Sequence, residues 1–268
     1  MAVLKGYKYL KYKKFMSIAM KKNYLPNNKG FSIENKIEEK ELSIFRAAIT
    51  KQWITKIKEE CPDAYKKIQE ENISIQDYHL VSDYLEHSKI WNKSSRILQK
   101  DFVDWFLKSN FAKNLEIKYG KYIISDESNL GWPNIYWRLV RPNQKGDVGP
   151  LHRDSWFWEL NTDFPKPNYK FYRLKVWIPI FVDLGLNGLF VEPYSQSRQN
   201  IKWYGEERDG IKKPVLITPV KELKPILLNT KSGDSVVFND NLIHGGALNN
   251  ASRCRVSVEF TLIIRDYN

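Results

Sequence analysis

Cysteine and histidine are both scarce in this chain of 268 residues. The two cysteines, Cys61 and Cys254, are too few for a disulfide framework or a cysteine-based zinc site, so a reducing, cytoplasmic setting is expected. Any metal site that uses imidazole must draw on a short list of histidines, which are His79, His87, His152 and His244. Each histidine position is therefore informative.

Long apolar runs and nucleotide-binding loops are also missing. No apolar stretch approaches the roughly 18 residues of a membrane-spanning helix, and no signal-peptide core is visible, so neither a membrane span nor export is expected. The triplet His152-Arg153-Asp154 resembles the start of a kinase catalytic loop. It is followed by Ser155-Trp156-Phe157-Trp158, and neither Asp-Phe-Gly nor a glycine-rich loop occurs, which excludes a protein kinase.

Acidic residues are missing from the start of the chain. The first is Glu34, and eight lysines precede it, mixed with tyrosines and other apolar residues, in a chain of net charge +12. Residues 1–33 are therefore interpreted as a basic N-terminal arm. Such an arm is either a solvated tail or a segment that contacts an anionic membrane, contacts nucleic acid or steers an anionic substrate.

Helical periodicity dominates the segment that follows, residues 34–131. Between Glu38 and Glu60 the apolar residues recur at steps of three and four, which predicts one long amphipathic helix. Cys61-Pro62 predicts its end and a short helix after it. A second long helix is predicted from Ser95, as N-cap, through Phe111. This helical region is expected to pack on the strand-rich half of the chain, with its apolar stripes in the core.

Short strands are predicted from residue 132 to residue 268. They are rich in β-branched and aromatic residues and are separated by turn signals such as Gly233-Asp234. Residues 201–213 are predicted to be a charged loop that acts as a lid. Helices followed by many short strands indicate an α+β protein with a mostly antiparallel barrel, in one structural domain.

Three side chains in the strand-rich half form a metal-ligand pattern. His152 and Asp154 are two residues apart, so they can point the same way from an extended segment. His244, after the strand at residues 235–238, supplies a second imidazole. Two histidines and one carboxylate leave coordination positions open, which is the facial triad of non-haem Fe(II) oxygenases.

A polar strand follows the second histidine. In residues 253–260 the polar side chains alternate with apolar ones, so Arg253, Arg255, Ser257 and Glu259 share one face. A polar strand face beside a metal indicates a wet interior. Arg255 can there bind a carboxylate through two parallel hydrogen bonds, with Ser257 adding a hydroxyl.

Several segments together resemble one enzyme family. They are Leu151-His152-Arg153-Asp154, Val176-Trp177-Ile178-Pro179, Asn187-Gly188-Leu189-Phe190-Val191-Glu192-Pro193-Tyr194-Ser195-Gln196, Gly233-Asp234-Ser235-Val236-Val237-Phe238 and His244-Gly245-Gly246, with Arg255 in register. Over residues 134–264 the chain resembles the phytanoyl-CoA dioxygenase-like branch of the Fe(II)/2-oxoglutarate oxygenases. Tyr194 and Gln196 depart from the glycine and histidine usual in that signature, and both lie in one turn.

The resemblance implies a fold, cofactors and a reaction. It implies a double-stranded β-helix, which is a jelly-roll or cupin-like barrel. The metal would be Fe(II), bound by His152, Asp154 and His244, and the co-substrates 2-oxoglutarate and O2. The co-substrate site would contain Arg255, Ser257 and Trp177. Because Asp154 is retained, the resemblance implies hydroxylation and not halogenation.

The substrate is less well specified by the sequence. Arg138, Trp156, Trp158 and Arg253 are expected to contact it, and cations with aromatic walls suit a polar, anionic small molecule or glycan precursor. A sugar acid such as Kdo of lipopolysaccharide is one example, which would add peripheral contact with an anionic membrane to a cytoplasmic location. Two alternatives remain: a non-catalytic cupin-like binding protein, and a basic binder of membranes or nucleic acid. Nucleic acid is not expected, because the charge is concentrated terminally.

Overall fold

Helices occupy the first part of the described chain and antiparallel strands the second. The computed structural model describes residues 26–34, 36–208 and 211–266. The helices are α1 (Glu39–Glu60), α2 (Pro62–Glu71), α3 (His87–Ile90), α4 (Lys100–Phe106), α5 (Asn110–Tyr119) and α6 (Asp154–Leu160). Short 3-10 turns lie at Ile75–Leu80, Ser82–Tyr84, Ser94–Arg96, Lys145–Asp147, Ser195–Ser197 and Val220–Glu222.

The strands form three antiparallel sheets. They are β1 (Phe31–Glu34), β2 (Tyr122–Ile124), β3 (Tyr136–Val140), β4 (Phe171–Phe181), β5 (Leu189–Val191), β6 (Trp203–Arg208), β7 (Ile211–Leu216), β8 (Ile226–Leu227), β9 (Ser235–Asn239), β10 (His244–Gly246) and β11 (Arg255–Arg265). The largest sheet has the order β1-β9-β4-β11-β2, with β3 also paired to β11. A second sheet has the order β10-β5-β8, and β6 pairs with β7. The prediction of an α+β protein with antiparallel strands is confirmed.

The apolar stripe of α1 explains why that helix forms where the sequence predicts it. Leu42, Phe45, Ile49 and Trp53 are all buried on one face. The helix ends at Cys61, whose φ of −148° is not helical, and Pro62 then begins α2. Proline is favoured at a helix's first turn because the backbone N–H that it lacks has no partner there.

The prediction of a second long helix from Ser95 through Phe111 is wrong. Ser95 does not cap it, because the Ser95 hydroxyl donates to the Ile90 carbonyl in a 3-10 turn. The helix begins at Lys100 and is broken before Asn110. Ser109 caps the second piece by accepting a hydrogen bond from the Ala112 N–H at 3.1 Å.

The two faces of the large sheet differ sharply in polarity. On β11, Val256, Val258 and Phe260 point into the apolar core shared with the helices. Arg255, Ser257 and Thr261 point to the opposite face, because side chains alternate along a strand. The same alternation on β4 places Lys175 and Trp177 on this second face.

The three-stranded sheet covers part of that second face. Phe31, Trp177 and Phe238 from the large sheet pack with Leu189 and Val191 of β5 in a second apolar cluster. The polar residues of β3 and β11 lie outside this cluster. The two sheets therefore enclose an interior that is apolar at one end and polar at the other.

The predicted arm and lid both need correction. The arm's last residues belong to β1, which pairs with β9 from Phe31 opposite Phe238 to Glu34 opposite Ser235. Residues 1–25 of the arm lie outside the described residues. Most of the segment predicted to be a lid loop instead belongs to a hairpin of β6 and β7, and β2 adds a strand at the end of the predicted helical region. Strands this short carry too little periodicity to be recognised.

Among the described residues, no helix has both the length and the apolar character needed to cross a bilayer.

Candidate metal centre

Two histidines from distant parts of the sequence are paired through their backbones. The His152 N–H donates to the His244 carbonyl at 2.9 Å, and the His244 N–H donates to the His152 carbonyl at 3.0 Å. Their ring centroids are 4.4 Å apart. His244 is also the first residue of β10, where it pairs with Val191. The sheet itself thus sets the separation of the two imidazoles.

The carboxylate reaches the histidines from the start of a helix. Arg153 is extended, with φ −112° and ψ 138°, and Asp154 is the first residue of α6. This differs from the fully extended His-x-Asp segment that the sequence predicts. The backbone N–H of Ser155 donates to the Asp240 carbonyl at 3.0 Å, and Arg153 Nη2 donates to the Ser195 carbonyl at 2.6 Å. These bonds fix the direction of Asp154.

The three side chains converge on one point. Asp154 Oδ1 lies 3.5 Å from His152 Nε2, and Asp154 Oδ2 lies 3.7 Å from His244 Nε2. One ligand atom from each residue falls within 4.8 Å of the others. Among the described residues, this is the group of histidine, cysteine and acidic side chains that could hold a metal ion.

Backbone carbonyls orient both imidazoles. His152 Nδ1 is 2.8 Å from the Pro150 carbonyl, and His244 Nδ1 is 3.0 Å from the Leu242 carbonyl. A carbonyl accepts, so each Nδ1 carries the proton and each Nε2 keeps a lone pair directed at the common point. Asp154 Oδ2 is buried and has no hydrogen-bond partner among the described residues. Two nitrogen donors and one carboxylate fit a divalent transition metal such as Fe(II).

The charge states also suit metal binding at neutral pH. Burial lowers the pKa of His244 to about 4, with Asp154 opposing the shift, so the imidazole is neutral. Burial alone would raise the pKa of Asp154, but the positive charge of Lys175 opposes this effect, and the pKa lies well below its usual range. Asp154 is therefore an anion, and no proton competes with the metal.

A buried guanidinium lies beside this group. Arg255 is 1% exposed, and its Nη1 donates to the Gly188 carbonyl. Within the described part of the chain, its Nε and Nη2 have no hydrogen-bond partner. A Cβ on Gly246 would stand 3.3 Å from Arg255 Nη2. Gly246 is two residues past His244 on β10, so both face the same side. Burial lowers the pKa of Arg255 to about 9, which leaves it charged at neutral pH.

An unpaired buried guanidinium is costly unless a ligand completes it. The free nitrogens of Arg255 present a fork that matches a carboxylate. This arrangement fits the distal carboxylate of 2-oxoglutarate. Ser257, two residues further on the same strand face, is also buried.

A charged wall continues from the triad along the large sheet. Lys175 Nζ lies 3.6 Å from Asp154 Oδ2, and Arg138 Nη2 lies 3.5 Å from Glu259 Oε1. Burial would raise the pKa of Glu259, but Lys175 and Arg138 outweigh it and lower that pKa to about 2. Arg138 thus shares the interior face with the site.

The aromatic residues next to Asp154 point in different directions. Trp158 is on the Asp154 side of α6 and lies under the Arg173 guanidinium, 4.7 Å from its ring centroid. Trp156 instead stacks on Trp203 at 4.9 Å, in a separate apolar cluster. Trp177 is buried in the cluster between the two sheets.

Arg253 does not join the site, contrary to expectation. Its side chain is 45% exposed and makes a paired contact with Asp77, at 3.0 and 2.9 Å. Strand β11 begins only at Arg255, so the alternation that governs Arg255 and Ser257 does not extend back to Arg253. Arg253 is an anchor for the 3-10 turn at residues 75–80.

Two residues of the site were not recognised from the sequence as part of it. Gly246 makes room for Arg255, and Lys175 contacts Asp154 of the triad. The alternation Arg173, Lys175, Trp177 in a strand is the signal that places Lys175 inside. Nothing in the sequence pairs Gly246 with Arg255.

Comparison with known proteins gives a family. A family profile described as phytanoyl-CoA dioxygenase matches residues 44–257. No curated protein matches the chain significantly. Among solved structures, the chain is 13% identical to the non-haem α-ketoglutarate-dependent carbocyclase SnoK from nogalamycin biosynthesis, covering 88% of this chain and 81% of that one, with a TM-score of 0.50.

Two further solved structures have the same relation to the chain. EvdO2 from Micromonospora carbonacea var. aurantiaca is 12% identical, covering 89% of this chain and 87% of that one, with a TM-score of 0.51. The non-haem monooxygenase ThoJ in its apo form is 12% identical, covering 88% and 75%, also with a TM-score of 0.51. At this identity the likeness concerns the fold.

The family profile spans most of the chain, and the triad and Arg255 lie within the matched residues. The chain belongs to the phytanoyl-CoA dioxygenase family and is an Fe(II)- and 2-oxoglutarate-dependent oxygenase.

Proposed function

We propose that the protein hydroxylates a polar, anionic small molecule or glycan precursor. In this proposal His152, Asp154 and His244 are the protein ligands of Fe(II), and Arg255 anchors 2-oxoglutarate. The observation that carries it is the convergence of the three ligand atoms within 4.8 Å, beside a buried guanidinium with two unpartnered nitrogens. The two sheets enclosing the site are proposed to form a double-stranded β-helix.

Each residue of the centre has a separate task. When bound, Fe(II) with 2-oxoglutarate supplies the activation of O2 that inserts one oxygen atom into a C–H bond, while the co-substrate becomes succinate and CO2. The neutral imidazoles of His152 and His244 donate Nε2, and Asp154 supplies the one anionic protein ligand. Together these three residues would hold the metal and would leave coordination positions for the co-substrate and O2.

Arg255 selects the co-substrate by charge and shape. Its free Nε and Nη2 can hold the distal carboxylate, with Ser257 near it on the strand face. Burial excludes water, which strengthens this pairing. Trp177 is proposed to limit the volume of the same interior.

The substrate assignment rests on the wall beyond the triad. Arg138, Lys175 and the Trp158–Arg173 pair supply cations and aromatic surface around the interior. Such a wall suits an anionic, hydroxylated molecule, of which a sugar acid such as Kdo is one example. Trp156 and Arg253, which point elsewhere, are left out of this proposal.

A contact with an anionic membrane is a separate part of the proposal. It rests on the lysines of residues 1–25, which lie outside the described residues. Deleting residues 1–25 should weaken binding to anionic vesicles and lower kcat/KM for a membrane-held substrate. Turnover of 2-oxoglutarate without substrate should stay unchanged. Equal vesicle binding by both proteins, at low and high salt, would show that the arm is a solvated tail.

The reaction is tested by succinate formation from 2-oxoglutarate with added Fe(II). Wild type should release succinate slowly even without substrate. Asp154→Ala should release none and bind metal at least about tenfold more weakly, because the ion loses its anionic ligand. Arg255→Met should keep metal affinity while 2-oxoglutarate affinity falls at least about tenfold.

Arg253→Met serves as the matched control, since it removes a guanidinium from the same strand region outside the site. It should behave like wild type in both assays. If wild type binds neither metal nor 2-oxoglutarate, the proposed activity is refuted. The alternative of a non-catalytic binding protein would then account for the retained pocket.

A further inference from the structure

Lys175 has a buried charge that the metal centre does not explain. It is 7% exposed on β4, and its Nζ has one ion-pair partner in the described part of the chain, Asp154 Oδ2 at 3.6 Å. Within those residues Nζ makes no hydrogen bond of its own. A buried ammonium without hydrogen bonds is costly, so the site is electrostatically incomplete.

The neighbouring charges are already paired. Arg138 faces Glu259, Arg173 faces Asp240 at 2.6 Å, and Lys93 faces Glu127 at 3.5 Å. Among the charged groups that contact the triad or are proposed to hold the co-substrate, Lys175 and Arg255 are cations and Asp154 is an anion, which gives these three groups an excess of one positive charge.

The proposed cofactors do not remove this excess. A divalent metal adds two positive charges and 2-oxoglutarate adds two negative ones, so the loaded site again has one unbalanced cation. This count rests on the proposed function. One negative charge is therefore still missing from a buried, water-poor site, where an unbalanced charge is expensive.

The position of Lys175 separates it from the co-substrate's distal end. On β11, Lys175 is opposite Thr261, which is six residues from Arg255. Six residues of strand span roughly 20 Å. Arg255 and Lys175 therefore lie well apart along the interior face of the large sheet. A five-carbon co-substrate held at Arg255 would be too short to span this separation and pair with Lys175 as well.

We propose that Lys175 determines specificity by binding a carboxylate of the substrate, next to the carbon that is oxidised. A carboxylate monoanion would balance the charge of Lys175 and supply its ammonium with hydrogen-bond acceptors. Glu259 and Arg138 are next along the same face, and their side chains are 26% and 32% exposed. They are placed to contact hydroxyl groups. The substrate class is thus a hydroxylated carboxylic acid.

The test uses formate as the smallest carboxylate. The full-length protein is loaded with Mn(II), which does not turn over, and with 2-oxoglutarate, and the proton relaxation of formate is measured on titration. Formate held by Lys175 lies close to Mn(II), so its relaxation rate should rise and saturate. Formamide, which has the same shape without charge, should show no saturable effect.

The variants separate three roles for the lysine. Lys175→Met should lower formate affinity at least about tenfold while 2-oxoglutarate and Mn(II) affinities change less than about twofold. Lys175→Arg should retain formate binding, and it keeps the test valid if the methionine variant fails to fold. Arg253→Met should match wild type.

Three results would overturn the proposal. Formate could fail to saturate in wild type, it could bind the methionine variant equally well, or the variant could lose 2-oxoglutarate as strongly as formate. The last result would assign Lys175 to the co-substrate. Failure of wild type to bind Mn(II) and 2-oxoglutarate at all is a different outcome, since it refutes the proposed function before formate is added.

Discussion

At the scale of single residues, two adjacent glycines of β10 face different parts of the proposed site. Successive residues of β10 point to opposite sides. A Cβ on Gly246 would stand 3.3 Å from Arg255 Nη2, whereas one on Gly245 would stand 3.2 Å from Leu151 Cδ2 and 3.3 Å from the Pro150 carbonyl. That carbonyl accepts the proton of His152 Nδ1. The two glycines therefore protect different parts of the site.

Gly246→Val and Gly245→Val should weaken the binding of different ligands. The Gly246 variant displaces Arg255 and should weaken 2-oxoglutarate binding about tenfold or more, with metal affinity nearly unchanged. The Gly245 variant disturbs the bond that orients His152 and should weaken metal binding by about tenfold. Isothermal titration with Mn(II), and then with 2-oxoglutarate, measures both. Equal losses in both variants would mean that the glycines act only on folding.

The residues found from sequence alone are those whose chemistry is rare. Histidines are few, so His152 and His244 stand out as candidate metal ligands. The position of Arg255 after His244 makes it a candidate for binding the co-substrate. Lys175 and Gly246 are common residue types, and their roles depend on strand pairing that brings distant segments together. Arg253 fails for a related reason, because β11 begins two residues later than the sequence pattern suggests.

At the scale of elements, the segment before His152 contacts the helical region through the carboxylate of Asp147. Asp147 accepts hydrogen bonds from Arg141 Nε and Nη2, each at 2.9 Å. His87 of α3 lies 3.5 Å from the same carboxylate, and its Nδ1 is 3.2 Å from the Tyr78 hydroxyl. Burial lowers the pKa of His87 to about 4, although Asp147 opposes the shift.

The contact between His87 and Asp147 predicts that the free energy of unfolding falls in mild acid. The unfolded histidine has its ordinary pKa of 6.5 and the folded one a pKa of about 4. Between these values the unfolded chain binds more protons, so the contribution of His87 is complete above pH 6.5 and is lost as the pH falls toward 4. The upper limit is about 3 kcal/mol, from 1.36 kcal/mol per pKa unit.

Urea unfolding at pH 7.5, 5.5 and 4.5 should show a shallower pH slope for His87→Gln than for wild type. His244 also has a lowered pKa, but it is present in both proteins, so the difference isolates His87. Parallel slopes would mean that His87 is solvated in the folded protein. Asp147, whose pKa is also lowered, acts only at still lower pH.

Element prediction succeeded where one periodic signal was long enough. The apolar stripe of α1 extends over many residues and matches the structure closely, and most of the alternation predicted over residues 253–260 lies within β11. The break between α4 and α5, the hairpin of β6 and β7, and the short β1 and β2 depend on caps and partners that are distant in sequence. Tertiary contacts decide such elements, and local pattern does not.

At the scale of the whole molecule, the segment before α1, residues 28–34, packs against the turns that flank His244. Lys29 and Gly30 offer carbonyls to the Tyr194 N–H at 2.9 Å and the Asn239 N–H at 3.0 Å. Gln196 Nε2 donates to the Asn28 carbonyl at 3.0 Å. This segment therefore contacts both residues that depart from the family signature, Tyr194 and Gln196.

Those contacts reach the metal centre through one hydroxyl. Ser195, between the two departing residues, accepts the Ile243 N–H on Oγ at 2.8 Å, directly before His244. Gly30 has a φ of +87°, and a Cβ there would stand 2.8 Å from Leu242 Cδ1, so the chain crosses very close to this turn. Residues 28–34 therefore support the backbone on which His244 is held.

Truncation at two points should separate the arm from this support. Deleting residues 1–25 should leave the melting temperature within about 2 °C of wild type and the metal affinity unchanged. Deleting residues 1–34 removes β1 and the buried Phe31, exposes the edge of β9, and should cost about 2–4 kcal/mol, a fall of roughly 5–15 °C. It should also weaken Mn(II) binding, because the turn before His244 loses its partners. Thermal unfolding with and without Mn(II) measures both effects. If the longer deletion melts and binds metal like the shorter one, residues 28–34 are dispensable, and Tyr194 and Gln196 require another explanation.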